Sequence, residues 1–134
     1  MNRQLISSGG PWETKGCYSR AVRVEDHVFV AGTTAMKDGK LVGPNDVVAQ
    51  TREVMSTIVK ALHEAGATIG DVVRYRIFLT NIEDSREVIP LLGEYFAEIR
   101  PAGTLLAVSA LIAPEMRIEI EVDAIRGSAS ALNE

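Results

Sequence analysis

Acidic residues recur at every second position in Ile118–Asp123, where Glu119, Glu121 and Asp123 alternate with Ile118, Ile120 and Val122. In a strand this spacing puts all three acids on one face. Three like charges in a row repel unless they are paired. Arg74 and Arg76 share one face of their own strand-like run, and across a sheet they could supply partners. Left in water, the acids are simply a solvated strand face. A carboxylate held near a partly desolvated cleft can instead polarise a water molecule for hydrolysis. Other reagents are scattered. His27, His63 and the single Cys17 lack metal-ligand spacing, so no metal is expected. No phosphate loop, dinucleotide fingerprint or G-x-S-x-G elbow is present. Cys17 reads as an incidental or structural thiol and His63 as a solvated side chain.

The acids lie in the longer stretch Arg100–Arg126, which holds two apolar strand-like runs, about Thr104–Leu111 and Arg117–Arg126. A chemical site is expected where these two strands meet. The elements before them must build the rest of the sheet. Arg3–Ser7 is a short apolar run that stops at Ser8-Gly9-Gly10-Pro11, and Trp12–Gly16 reads as continued loop, with Trp12 covering a core edge. Ser19–Val24 and His27–Gly32 flank Glu25-Asp26 and read as a β-hairpin. Gly32 ends the second strand, where backbone can approach a neighbour closely. Asp38-Gly39 tips a tight turn. Asp46 is the expected N-cap of a first helix, whose Val47, Val54, Met55, Ile58 and Leu62 follow helical spacing up to Gly66. Asp71–Thr80 is a strand with Val73, Tyr75, Ile77 and Leu79 on one side. Asp84 and Glu87 have capping-box spacing for a second helix. Pro90 implies a kink in that helix, or a loose first turn with the regular helix starting there. Residues 127–134 read as a frayed polar tail.

The order β-β-β-α-β-α-β-β is that of one α+β domain over residues 1–134, a mixed sheet with two helices on one face. The other face needs cover, because Leu105, Leu106, Val108, Leu111 and Ile112 leave few polar positions; self-association would provide it. The 134 residues are 46% hydrophobic and 24% charged, a balance typical of a soluble domain. A net charge of -4 with one Trp, three Tyr and three Phe argues against nucleic acid as partner. The lone cysteine, the lack of an apolar leader and the lack of a membrane-length apolar run point to the cytoplasm, with no membrane partner.

Several motifs match one family in order and spacing. They are Gly16-Cys17-Tyr18-Ser19-Arg20-Ala21, Val28-Phe29-Val30-Ala31-Gly32, Arg76–Ile82, Arg100-Pro101-Ala102-Gly103-Thr104 and Ile118-Glu119-Ile120-Glu121. Over nearly its whole length the chain resembles the Rid (YjgF-type, reactive intermediate deaminase) family. The resemblance implies a chorismate-mutase-like fold and a homotrimer whose clefts between subunits bind small carboxylate- or imine-bearing metabolites. It also implies hydrolysis of an enamine or imine to a 2-keto product and ammonia, without metal or organic cofactor. Tyr18 would be the pocket tyrosine, and Glu119 would position the attacking water. Substrate would meet Gly32, Gly103, Thr104 and Leu105, the last through its backbone N–H. Gly103 stands where the deaminases carry an arginine that grips the substrate carboxylate, a contact worth about 1.5–3 kcal/mol. The alternatives are then an altered substrate, another basic group in the cleft (Arg20, Arg23 or Arg100), or a non-catalytic trimeric binding or chaperone-like module. Gly103 could also permit a strand bend or enlarge the pocket. Cys17 stands where the family often has proline. RNA cleavage, an activity attached to the family name, fits the acidic composition least.

Overall fold

The computed structural model describes residues 1–131. Its elements are β1 Arg3–Ile6, α1 Pro11–Lys15, β2 Ala21–Val24, β3 His27–Thr33, β4 Met36–Lys37, β5 Lys40–Leu41, α2 Val47–Glu64, β6 Val72–Leu79, α3 Ser85–Phe96, β7 Ala102–Ala107 and β8 Ile118–Ile125. Six strands form one mixed sheet in the order β1-β2-β3-β8-β6-β7, and β4 and β5 pair as a separate short ribbon. All main-sheet pairings are antiparallel except β6 with β7. The core unites Met55, Ile58 and Leu62 of α2 and Val88, Leu92 and Phe96 of α3 with Val28, Ile77, Ile118, Ile120 and Val122 of the sheet. Among the described residues no helix is long and apolar enough to cross a membrane.

Local chemistry explains most of the boundaries. The Asp46 side chain accepts a hydrogen bond from Ala49 N at 3.0 Å and starts α2. Glu25, at φ 53, turns the β2–β3 hairpin. Other expectations need correction. Trp12–Lys15 is helical rather than loop, with Pro11 at the first helical position, and Trp12 is 46% exposed beneath the Lys15 ammonium rather than covering a core edge. An extra residue in β6 between Val72 and Arg74 shifts the pairing with β8. Val72 is therefore buried and Val73 exposed, the reverse of strict alternation. The two late strands are shorter than expected, and β7 starts earlier, at Ala102. Of the tail, Ser128–Ala131 forms a 3-10 turn fastened by Ala129 N to Asp71 Oδ1 at 3.0 Å, and residues 132–134 lie outside the described residues.

Asp84 does not cap α3 with its side chain; it pairs with Arg117 at 2.9 Å. The helix begins at Ser85 and runs through Pro90, so no regular helix starts at the proline. An interior proline withholds one helical N–H and costs roughly 3 kcal/mol, part of which the stiffer unfolded chain returns. Pro90→Ala should thus raise stability by about 1–2 kcal/mol in urea denaturation. An unchanged or lower midpoint would show that the proline ring makes compensating contacts.

On the sheet face away from α2 and α3, Leu5, Val22 and Phe29 sit opposite one another across β1, β2 and β3. Leu5 is 64% and Phe29 47% exposed, and Leu106 of β7 is exposed on the same face. Asp123, Glu121 and Arg76 lie between them on this face, so the apolar residues form a patch over β1, β2 and β3 that a charged band separates from Leu106.

Candidate functional site

The two stretches expected to meet do not touch. β6 lies between β7 and β8, so Glu119 faces Phe78, and Phe78 faces Leu106. Parity separates them further. Glu119, Glu121 and Thr104 share the open face, while Gly103 and Leu105 register with Tyr75 and Ile77 on the helix face. Within one chain, then, the expected site residues form two groups separated by β6, with Gly103 and Leu105 on the face opposite Glu119.

The first group gathers around β3. Between Val30 and Thr33 this strand carries one residue more than β8 opposite it, a bulge that contains Gly32. The Glu119 carboxylate rests against Gly32 so closely that a Cβ there would lie 2.7 Å from Oε1. A side chain at position 32 would have to push the carboxylate aside. Arg76 holds Glu121 at 3.1 Å and Asp123 at 3.6 Å, the pairing across the sheet expected for one of the two arginines. Glu119 is left with no hydrogen-bond or ion-pair partner among the described residues. Burial pushes its carboxyl above the ordinary glutamate range; the pull of Arg20 works against this and the charge of Glu121 adds to it.

Arg20 is the hub of this group. It is 8% exposed and donates from Nη2 to the Gly32 carbonyl at 2.6 Å. The Tyr18 ring lies 5.4 Å from its guanidinium, and Glu13 of α1 is 3.9 Å away. Burial alone would raise the Glu13 carboxyl, but hydrogen bonds from Ser8 and Ser7 outweigh it and hold the group below its usual range. The short helix α1 thereby fixes an anion behind Arg20. Tyr18 is 40% exposed and, with the exposed Cys17, borders a cavity of about 890 Å³ on the open face. That cavity reaches Glu121 and Asp123; Glu119 is not in its lining.

The second group surrounds a cavity of about 470 Å³ between α3 and β7, lined by Gly103, Thr104 and Leu105 together with Tyr75, Phe96 and Arg100. β7 keeps its register with β6 through Gly103, so no break marks a bend. Nor is the pocket enlarged there. The Tyr75 ring fills the space, and a Cβ at Gly103 would lie 2.5 Å from its Cζ.

The sequence pattern of the endoribonuclease L-PSP family matches residues 11–126, which contain both groups. The chain belongs to this family. A solved YjgF/YER057c/UK114 family structure from Mycobacterium tuberculosis is 45% identical, with a TM-score of 0.84, covering 92% of this chain and 99% of that one. The 3-aminoacrylate deaminase RutC of Acinetobacter baylyi is 32% identical over 90% of this chain and 95% of its own. A 2-iminobutanoate/2-iminopropanoate deaminase from Capra hircus is also 32% identical, over 93% and 91% of the two chains.

In this Rid-type protein the candidate basic residues separate by position. Arg23 donates to Glu25 and Ala65 carbonyls, away from both cavities. Arg20 belongs to the Glu119 group, and Arg100 to the Gly103 cavity. Sequence reading passed over Glu13 and Tyr75. No local signal points to Glu13, because its role depends on a helix of five residues. Strand parity puts Tyr75 on one side with Ile77 and Leu79, and its cross-strand partner Gly103 becomes visible only when the parallel register is known.

Proposed function

We propose that the chain is an imine or enamine hydrolase acting at clefts between the subunits of a homotrimer. The observation that carries this reading is Glu119, an unpaired, half-buried carboxylate seated over Gly32 with a raised pKa. Such a group, once ionised, can hold a water and accept its proton as the oxygen attacks the C=N carbon. The resulting carbinolamine then breaks its C–N bond, giving the 2-keto product and ammonia. Tyr18, on the same hub, would border the bound substrate. The separation of the two groups by β6 supports a composite cleft, in which Gly103, Thr104 and Leu105 of one subunit complete the Tyr18, Gly32 and Glu119 of the next. The exposed apolar patch of Leu5 and Phe29 on the open face supports the assembly. Two named deaminases among the relatives supply the reaction class.

A second reading, a trimeric binding module without turnover, is favoured by the Tyr75 ring over Gly103, which leaves no room for a charged side chain at that position. RNA cleavage finds little support in a chain of net charge -4.

The test generates imines from several amino acids with an amino-acid oxidase and follows 2-keto acid release against semicarbazide trapping. Wild type should hydrolyse at least one imine, and light scattering should give three times the chain mass. A monomer mass, or equal rates for wild type and Glu119→Ala, would defeat the proposal. Stabilisation by 2-oxo acids with no imine consumed would favour the binding module.

A further inference from the structure

The cavity beside Gly103 is floored by two aromatic rings. Tyr75 stacks on Phe96 of α3 with ring centroids 5.3 Å apart and planes at 26°. Its ring crosses Gly103 so closely that a Cβ there would meet Cζ at 2.5 Å and the hydroxyl at 2.7 Å. The glycine and the ring are therefore one device: the ring occupies what any side chain at 103 would need. Leu92 and Leu105 extend the apolar wall, and Arg100 is the one charged residue of the described lining. The exposed Arg100 has no ion-pair or side-chain hydrogen-bond partner among the described residues, so its guanidinium is available to an anion.

We propose that Tyr75 determines specificity: the cleft takes an imine, or the corresponding 2-oxo acid, with a large flat apolar group that packs against the Tyr75 ring while its carboxylate turns to Arg100. Small imino acids present the same carboxylate to Arg100 but bring no flat group to pack against the aromatic ring. This inference rests on the reading of the cavity as one half of the reaction cleft.

Calorimetric titration with stable 2-oxo acids tests it without requiring turnover. Phenylpyruvate should bind wild type at least tenfold more tightly than pyruvate. Tyr75→Leu, which keeps apolar bulk but removes the flat face, should abolish most of that preference, and Tyr75→Phe should keep it. Arg100→Ala should weaken phenylpyruvate. Equal affinity for the two acids in wild type, or an undiminished preference in Tyr75→Leu, would overturn the proposal. Should Tyr75→Leu fail to fold, Gly103→Ala, which displaces the ring, provides the same comparison. A protein that prefers phenylpyruvate but hydrolyses no imine supports the inference and defeats the hydrolase reading. One that hydrolyses imines and prefers pyruvate does the opposite.

Discussion

Replacing Glu119 with glutamine should lower imine turnover by about two to four orders of magnitude while leaving a folded protein. Glutamine has nearly the same shape, so the contact with Gly32 survives, but the amide accepts no proton from water. Stability should move the other way, with a sign set by the direction of the pKa shift. The folded-state pKa of Glu119 is raised, mainly by burial. Its contribution to stability is thus full below the ordinary glutamate pKa and is lost as pH rises through the raised value. At neutral pH the wild type holds a partly desolvated charge that Glu119→Gln does not. The variant should unfold at higher urea than wild type at pH 7, with the difference vanishing in acid. Turnover by wild type should climb with pH through the same raised value, because the ionised form is the one that accepts the proton. A pH-independent stability difference, or activity retained in the variant, would remove Glu119 from the site.

The second large effect is expected at Gln50, which is fully buried on α2. Its Nε2 donates to the carbonyls of Gly43 at 2.9 Å and Glu115 at 2.8 Å, and its Oε1 accepts from Arg117 N at 2.8 Å. One amide thus joins the helix start, the loop before it and the entry to β8. Gln50→Leu keeps the volume and removes all three bonds. Each buried group left unsatisfied costs about 1–3 kcal/mol, and Arg117 N–H has no substitute acceptor within β8. A loss of about 2–4 kcal/mol in urea denaturation is expected. Because Arg117 leads directly into Ile118 and Glu119, the variant should also lose turnover at temperatures where it is still folded. A loss under 1 kcal/mol would mean that water replaces the amide.

Much of this architecture was legible in local patterns. The Asp46 cap and the Val54–Leu62 spacing identify α2, and period-two alternation places Glu119, Glu121 and Asp123 on one face. What local patterns omit is which strand lies beside which. Nothing in Ala102–Ala107 or Ile118–Ile125 says that β6 will stand between them, so the expected meeting of the two strands was wrong although both strands exist. The bulge that swaps Val72 for Val73 is likewise a property of the pairing. Asp84 had the right spacing for a cap, but the Arg117 guanidinium outcompeted the backbone N–H. The site was legible as a set of residues and illegible as an arrangement, because Gly32 with Glu119 and Gly103 with Tyr75 are contacts between distant segments.

The central position of β8 bears on how the protein is made. β8, which follows all five other strands of the main sheet in chain order, is the keystone of that sheet, hydrogen-bonded to β3 on one side and β6 on the other. Until it emerges, the β1-β2-β3 and β6-β7 halves have no shared strand to join them. Val30 waits for Val122, and Ile77 for Ile120. Such long-range closure is slow and leaves apolar strand edges bare in the meantime. The nascent chain is therefore most vulnerable to association with its neighbours after β7 has emerged and before β8 has, and the turn that fastens Ala129 to Asp71 can close only after that.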